Sequence, residues 1–317
     1  MPDRENQCDQ ATVEGVVTDK RSIGIVSMGD MGHAVARTLR EGGHDVATAL
    51  DGRSERTRAL AQTAGIADAG SLGALIALSE IILSIMPPAA ATGFARDAAR
   101  EIGAAGTRPV FVDCNAIAPG TSREIGAILI DAGASFVDGG IIGSPPGRRA
   151  PTRLYVSGEQ AAAIETLARP DLLIRNLGPE IGAASGIKMC YAALTKGTMT
   201  LDTLVLLGAQ ALGLSEPLLV ELSESQAGPL ERMQSSVPWL AADSARWVGE
   251  MEEIAKTFEG ANLTPRMHEG AADMFSLLAQ STLAAETRET ADRSRTLDEA
   301  VKAFASTLSA CARDAAD

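Results

Sequence analysis

The sequence predicts an α/β fold, a doubly wound and mostly parallel sheet, followed by an all-α C-terminal domain. Three observations predict it. Short, nearly continuous apolar runs alternate with helical patterns through the first half of the chain, the mark of parallel strands covered on both faces. A glycine-rich turn follows the first of those runs. Beyond about Pro179 the strand signals stop, and helical periodicity continues to the C-terminus.

Strands are expected at Ser22–Val26, Asp45–Leu50, Ile81–Ile85, Pro109–Asp113, Ser135–Asp138 and Arg153–Val156, with helices between the early ones at Met31–Glu41 and Arg53–Ala61. Residues 182–212 are apolar almost all round, which predicts a long helix buried on most sides. Gly186, Gly197 and Gly208 within it would let neighbouring helices approach. Trp247, Val248, Met251, Ile254, Ala255 and Phe258 share one helical stripe. Thr296-Leu297-Asp298-Glu299 reads as a capping box opening the last helix. The expected organisation is a polar, disordered extension at residues 1–20, an α/β domain at 21–179 and an all-α domain at 180–317.

At 317 residues the chain is long for a single core and suits about two domains. Its hydrophobic content of 45% is ordinary, and 3% aromatic residues means cores built from Ala, Leu, Ile, Val and Met. A formal charge of -13 argues against nucleic acid or an anionic membrane as main partner, because both need a positive field. Cys8, Cys114, Cys190 and Cys311 show no disulfide or metal-ligand spacing, which predicts a reducing compartment and no metal. No apolar run approaches a membrane span, and the N-terminus lacks the apolar core of a signal peptide. A cytoplasmic, soluble protein is expected.

Ser22-Ile23-Gly24-Ile25-Val26-Ser27-Met28-Gly29-Asp30-Met31-Gly32 runs from a strand into a helix, where a dinucleotide pyrophosphate can sit on the helix N-terminus. Ser27 replaces the first glycine of G-x-G-x-x-G. Gly29 would let the backbone approach phosphate, and Gly32 would let helix pack on strand. The pattern predicts a Rossmann-type domain. After the second strand, Asp51 suits the ribose hydroxyls of NAD, whereas Gly52, Arg53 and Ser54 suit the extra phosphate of NADP. Arg53 and Arg56 can also be solvated residues opening a surface helix. NADP is the expected cofactor, with NAD as the alternative.

Lys188 opens the long apolar helix after Gly182-Ala183-Ala184-Ser185-Gly186-Ile187. A lysine there either snorkels to water or, partly desolvated, sheds a proton near neutral pH and acts as acid or base. Lys196 lies on the same helix. Tyr191, at i+3 from Lys188, can face substrate or pack in the core. Arg246 and Glu250, at i and i+4, can form an exposed ion pair. Arg148 and Arg149 follow Pro145-Pro146-Gly147 and can hold an anion or sit in a solvated loop. His268 is expected to cap or pack in a helical turn.

Taken in order, these motifs resemble the β-hydroxyacid dehydrogenase superfamily, which includes 3-hydroxyisobutyrate and 6-phosphogluconate dehydrogenases. The resemblance spans roughly residues 22–310. Gly24 to Gly32 resembles that family's cofactor loop, and Leu83-Ser84-Ile85-Met86-Pro87 its turn beside the cofactor. Asp113-Cys114-Asn115-Ala116-Ile117-Ala118-Pro119 stands for its D-x-S-T-x-x-P segment. Val137 to Ser144 stands for its D-A-P-V-S-G-G substrate loop, with Ile142 in place of the serine. Lys188 corresponds to its catalytic lysine, and Tyr191-Ala192 replaces an asparagine that follows.

The resemblance implies cofactor contacts from Ser27, Met28, Gly29, Asp30, Met31, Gly32, Gly52, Arg53, Ser54, Met86, Pro87 and Asn115. It implies substrate contacts from Gly143, Ser144, Tyr191 and Glu250, catalysis by Lys188, and a homodimer built on interlocking helical domains. The implied reaction is hydride transfer between nicotinamide and a small hydroxy acid or its keto form. Imine reduction on the same fold, or a catalytically silent cofactor-binding scaffold, are the other readings; the retained lysine weighs against both.

Overall fold

The structure, a computed structural model, describes residues 20–148 and 150–314, with no side chains beyond residue 308. Residues 1–19 of the expected extension, Cys8, Arg149 and the Cys311 side chain lie outside that description. The α/β part runs β1 (Ser22–Val26), α1 (Asp30–Glu41), β2 (Asp45–Thr48), α2 (Glu55–Ala64), β3 (Ala67–Asp68), α3 (Leu72–Leu78), β4 (Ile81–Ser84), α4 (Pro88–Ala105), β5 (Val110–Asp113), α5 (Pro119–Asp131), β6 (Ser135–Ile142), β7 (Thr152–Ser157), α6 (Ala161–Glu165) and β8 (Leu172–Asn176). The strands form one sheet in the order β3-β2-β1-β4-β5-β6-β7-β8. All neighbours pair in parallel except β6 and β7, which are antiparallel.

Chain order reverses between β1 and β4, and the crevice beyond the strand ends at such a switch point is where doubly wound sheets bind ligands. Each face of the sheet carries its own apolar layer. One is built on Val35, Leu39 and Ile164, the other on Leu75, Ile102 and Ile125, so the strands are buried twice over as their apolar runs require.

The helical part follows as α7 (Ala183–Ala211), α8 (Ser215–Ser225), α9 (Ala227–Ser236), α10 (Ala241–Gly260), α11 (Arg266–Leu278) and α12 (Leu297–Asp314), with short 3-10 turns after α9 and α11. Its core gathers Met189, Leu206, Met251, Ile254, Phe275 and Phe304. Trp247 packs edge-on to Phe275 at 5.2 Å between centroids. The capping box forms as read: Thr296 N–H donates to Glu299 Oε2 at 2.8 Å, and Glu299 N–H donates back to Thr296 Oγ1 at 3.3 Å.

Several expectations change. Strands β3 and β8 are additional. β6 continues to Ile142, and its antiparallel neighbour is joined to it by a short loop rather than a crossover helix. α2 starts at Glu55 because Ser54 is its N-cap, its hydroxyl accepting from Thr57 N–H at 3.3 Å. α7 is covered on one side only, since Ile187, Leu194, Leu201, Leu204 and Val205 are exposed. Gly186 and Gly197 do meet neighbours, Pro119 and His268, but nothing approaches Gly208.

Candidate active site

The turn from β1 into α1 is shaped around an absent side chain. A Cβ on Gly32 would overlap the Ser27 carbonyl oxygen, so the glycine lets helix and strand approach. Ser27 adopts φ 73°, the left-handed conformation for which glycine is preferred. Gly29 has open space before it, so a phosphate could approach the free N–H groups at the start of α1. Met28 is fully buried in the apolar layer that holds Val35 and Leu39. Asp30 and Met31 open α1, and the Asp30 carboxylate is held by Arg56 at 2.6 Å. Arg56 itself remains exposed in the first turn of α2, in keeping with the surface-helix reading of it.

Beside this turn a recess of about 190 Å³ is lined by Val26, Ala49, Asp51, Arg53, Leu72 and Leu75. Asp51 and Arg53 therefore face one space. Arg53 carries no ion pair or side-chain hydrogen bond among the described residues, and Gly52 beside it has φ 65°. Ser54 is exposed and spends its hydroxyl on the α2 cap. Across the switch point, Met86 is half-buried and Pro87 is the N-cap of α4.

Asn115 is buried and its amide is committed. Oδ1 accepts from Met86 N–H at 2.7 Å, while Nδ2 donates to Ser84 Oγ at 3.1 Å and Asp113 Oδ2 at 3.0 Å. It ties the β4 and β5 ends together, so its observed work is to shape the turn at Met86. Burial pushes the Asp113 carboxyl up to about 7; the Asn115 hydrogen bonds oppose this and the nearby Asp138 charge adds to it.

Asp138, on β6, fastens the two halves of the molecule. Its Oδ2 accepts from Gly182 N–H at 3.0 Å, Ser185 N–H at 2.9 Å and Ser185 Oγ at 3.2 Å, and from Ser157 Oγ at 3.2 Å. Its Oδ1 accepts from Ser122 Oγ at 2.7 Å. The carboxylate thus satisfies the orphan amides that open α7 and meets the positive end of that helix. Glu253, on α10, does the converse: its Oε2 accepts from Ala118 N–H and Thr121 Oγ1, both at 2.8 Å, at the start of α5. Neither role is legible in the sequence. Their partners lie up to 47 and 135 residues away, beyond any local pattern.

One turn past Ser185 comes Lys188. Its Cβ lies so near β6 that a Cβ on Gly140 would fall 2.9 Å from it, and would overlap the Ala184 carbonyl oxygen as well. Glycine at position 140 is what admits the helix. Lys188 is half-buried and makes no ion pair or side-chain hydrogen bond among the described residues. Desolvation lowers its pKa to about 8, with the Lys196 and Arg246 charges adding and Glu250 opposing. Lys196, two turns on, is instead neutralised by a buried ion pair with Glu250 and lies 5.4 Å from the Trp247 ring centre.

Glu250 is therefore the partner of Lys196, and the expected Arg246–Glu250 pair does not form: Arg246 bonds Asp243 at 2.7 Å. Tyr191 is 44% exposed, which removes the core reading of it. Gly143 and Ser144 are exposed after β6, with Gly143 at φ 112°. Ile142 is buried, so the residue in the serine position turns into the core. His268 packs as expected, stacked on Phe258 at 4.8 Å. Among the described residues no His, Cys, Asp and Glu group could hold a metal, and no helix is long and apolar enough to cross a membrane.

An open, mostly parallel sheet with a helix N-terminus at its switch point, joined to a helical part that presents a desolvated lysine, defines an NAD(P)-dependent dehydrogenase or reductase. Comparison narrows the class. Residues 22–170 match the NAD binding domain of 6-phosphogluconate dehydrogenase, and residues 209–278 match a domain of unknown function, DUF1932. A conserved protein of unknown function, described as structurally similar to 3-hydroxyacid dehydrogenases, is 30% identical, with 81% of this chain and 96% of that one covered and a TM-score of 0.59. The 3-hydroxyisobutyrate dehydrogenase of Pseudomonas aeruginosa is 26% identical over 68% of this chain and 74% of its own length. The Mycobacterium tuberculosis 3-hydroxyisobutyrate dehydrogenase shares the fold, with 17% identity, a TM-score of 0.63 and 89% and 98% coverage. The chain belongs to the β-hydroxyacid dehydrogenase family.

Proposed function

We propose that this protein is an NADP-dependent oxidoreductase that moves a hydride between the nicotinamide and a small hydroxy acid or its keto form, with Lys188 as general acid and base. The observation that carries this is the contrast on α7: Lys196 is neutralised by Glu250, whereas Lys188 is desolvated, unpaired and lowered to about 8. An amine in that range can take a proton from an alcohol or return one to an alkoxide near neutral pH. The bound cofactor would supply the hydride chemistry. Gly29, Asp30 and Met31 would hold its pyrophosphate through backbone N–H groups, with Ser27, Met28 and Gly32 shaping the turn.

Unpaired Arg53 favours NADP over NAD, its fork being suited to a phosphomonoester; Asp51 in the same recess is the feature that would serve NAD. The amides of exposed Gly143 and Ser144 and the Tyr191 hydroxyl would orient a carboxylate. The likeness to a 3-hydroxyisobutyrate dehydrogenase supports a hydroxy acid as substrate. On this reading residues 21–179 bind cofactor, and residues 180–317 contribute the lysine and the dimer contact. The dimer reading is supported by an unpartnered stripe on α7 and its C-cap, where Ile187, Leu194, Leu201, Val205 and Leu212 recur at spacings of four or seven.

The test is NADPH consumption against a panel of small keto acids, with NADP reduction by the matching hydroxy acids and a parallel panel of imines. Turnover of hydroxy or keto acids is expected. Reduction of imines alone, or cofactor binding without turnover of any panel member, would sink the proposal.

A further inference from the structure

A concavity of about 630 Å³ lies between α1, the loop joining β6 to β7, and the helical part near Trp239, Asp243 and residues 288–293. Its size is that of a small-molecule site, roughly 300–1,000 Å³. Its charge runs against that of the chain. Five arginines line it beside three carboxylates, in a protein of formal charge -13.

The carboxylates are already engaged. Arg56 holds Asp30 at 2.6 Å and reaches Glu289 at 3.7 Å, and Arg288 holds Asp243 at 2.7 Å. Three guanidinium groups remain without a carboxylate. Arg293 lies 5.2 Å from the Trp239 ring centre and donates to the Arg288 carbonyl at 2.7 Å. Arg37 and Arg148 make neither an ion pair nor a side-chain hydrogen bond among the described residues. They are neighbours: a Cβ on Gly147 would lie 3.2 Å from Arg37 Nη2, so this guanidinium rests against the loop that carries Arg148.

Like charges collected in one concavity repel unless an anion joins them, and the planar arginine fork matches phosphate oxygens in pairs. A single carboxylate would answer only one of the three cations; a phosphate monoester carries up to two charges and three acceptor oxygens. We infer that this concavity binds the phosphate group of a small organic molecule between Arg37, Arg148 and Arg293. The concavity meets the cofactor turn at Asp30 and the β6–β7 loop at Ser144, but its free guanidinium groups belong to neither: Arg37 lies two helical turns beyond the α1 N-terminus, and the recess at Asp51 and Arg53 is lined by other residues. The phosphate site does not depend on proton transfer by Lys188.

The test is calorimetric titration of inorganic phosphate into the full chain at fixed ionic strength, with and without saturating NADPH. One saturable site per chain is expected, retained when NADPH is bound. Arg37→Gln combined with Arg148→Gln should weaken phosphate at least about tenfold, leave NADPH affinity within about twofold, and leave the circular dichroism unchanged. Arg175→Gln, an exposed arginine on β8, should change none of these. If the double variant does not fold, Arg148→Gln alone, on an exposed loop, is expected to weaken phosphate about threefold. Absence of saturable binding in the parent, binding unaltered by the arginine substitutions, or complete displacement by NADPH would each overturn the inference, the last by assigning the concavity to the cofactor.

Discussion

Asp138 and Ser185 stand on opposite sides of the junction between sheet and helical part, and one carboxylate oxygen of the first accepts both the N–H and the hydroxyl of the second, at 2.9 and 3.2 Å. Ser185 is one turn before Lys188, so the bond sets where the lysine stands relative to β6. Gly140, on the same strand, supplies the clearance.

Asp138→Asn should therefore destabilise the protein and misplace the lysine together. An amide can still accept from α7, but it loses the charge that meets the helix N-terminus. Charge-assisted bonds and a partly buried helix-terminus charge together suggest a loss of about 2–3 kcal/mol. Thermal unfolding should fall by roughly 5 °C or more, and turnover should drop while NADPH affinity holds. An unchanged melting temperature would show that the carboxylate is not the fastening.

How far the sequence predicts this arrangement depends on the range of the interactions. β1, β4 and β5 are legible because each is a short apolar run buried on both faces. β3 is two residues long, and β8 offers only Leu172-Leu173-Ile174 before the exposed pair Arg175-Asn176, so both runs are too short to read as strands. The reversal at β7 has a usable signal: only a loop separates it from β6, too short for a parallel crossover. Lys188 and the cofactor turn are legible as local motifs. The Glu250–Lys196 pair is not, because 54 residues separate the partners and Arg246 offers a nearer match on the same helix.

The assembly prediction concerns α7. A helix with Leu194 71% exposed and Leu212 74% exposed needs a cover, and a second copy presenting the same stripe would supply one. Leu194→Glu combined with Leu201→Glu should convert a dimer into monomers, since an obligate interface of about 2,000–5,000 Å² does not tolerate unpaired charges at its centre. Sedimentation of the parent as a stable folded monomer at micromolar concentration would refute this.

Cofactor choice turns on Arg53. NADPH should bind more tightly than NADH, and Arg53→Ala should narrow the gap by weakening NADPH alone. Loss of a charge-assisted phosphate contact costs about 1.5–3 kcal/mol, or roughly ten- to a hundred-fold in affinity. Fluorescence titration of both nucleotides measures it. Equal affinities in the parent would shift the assignment to Asp51 and NAD.

The catalytic prediction joins a pH profile to a substitution. With Lys188 lowered to about 8, its neutral amine predominates above that pH and its ammonium form below. Alcohol oxidation, which needs the base, should rise with pH and level off above about 8. Carbonyl reduction, which needs the acid, should fall through the same point. Lys188→Ala should fold and bind NADPH, because the amine has no charged partner to strand, yet lose about two to four orders of magnitude in turnover in both directions. Lys188→Arg should not rescue it, since a guanidinium holds its proton far above neutral pH. The two directions must share one inflection, and both variants must abolish it. If the inflection survives in Lys188→Ala, the proton moves through another group, and exposed Tyr191, one turn along the same helix, is the residue to replace next.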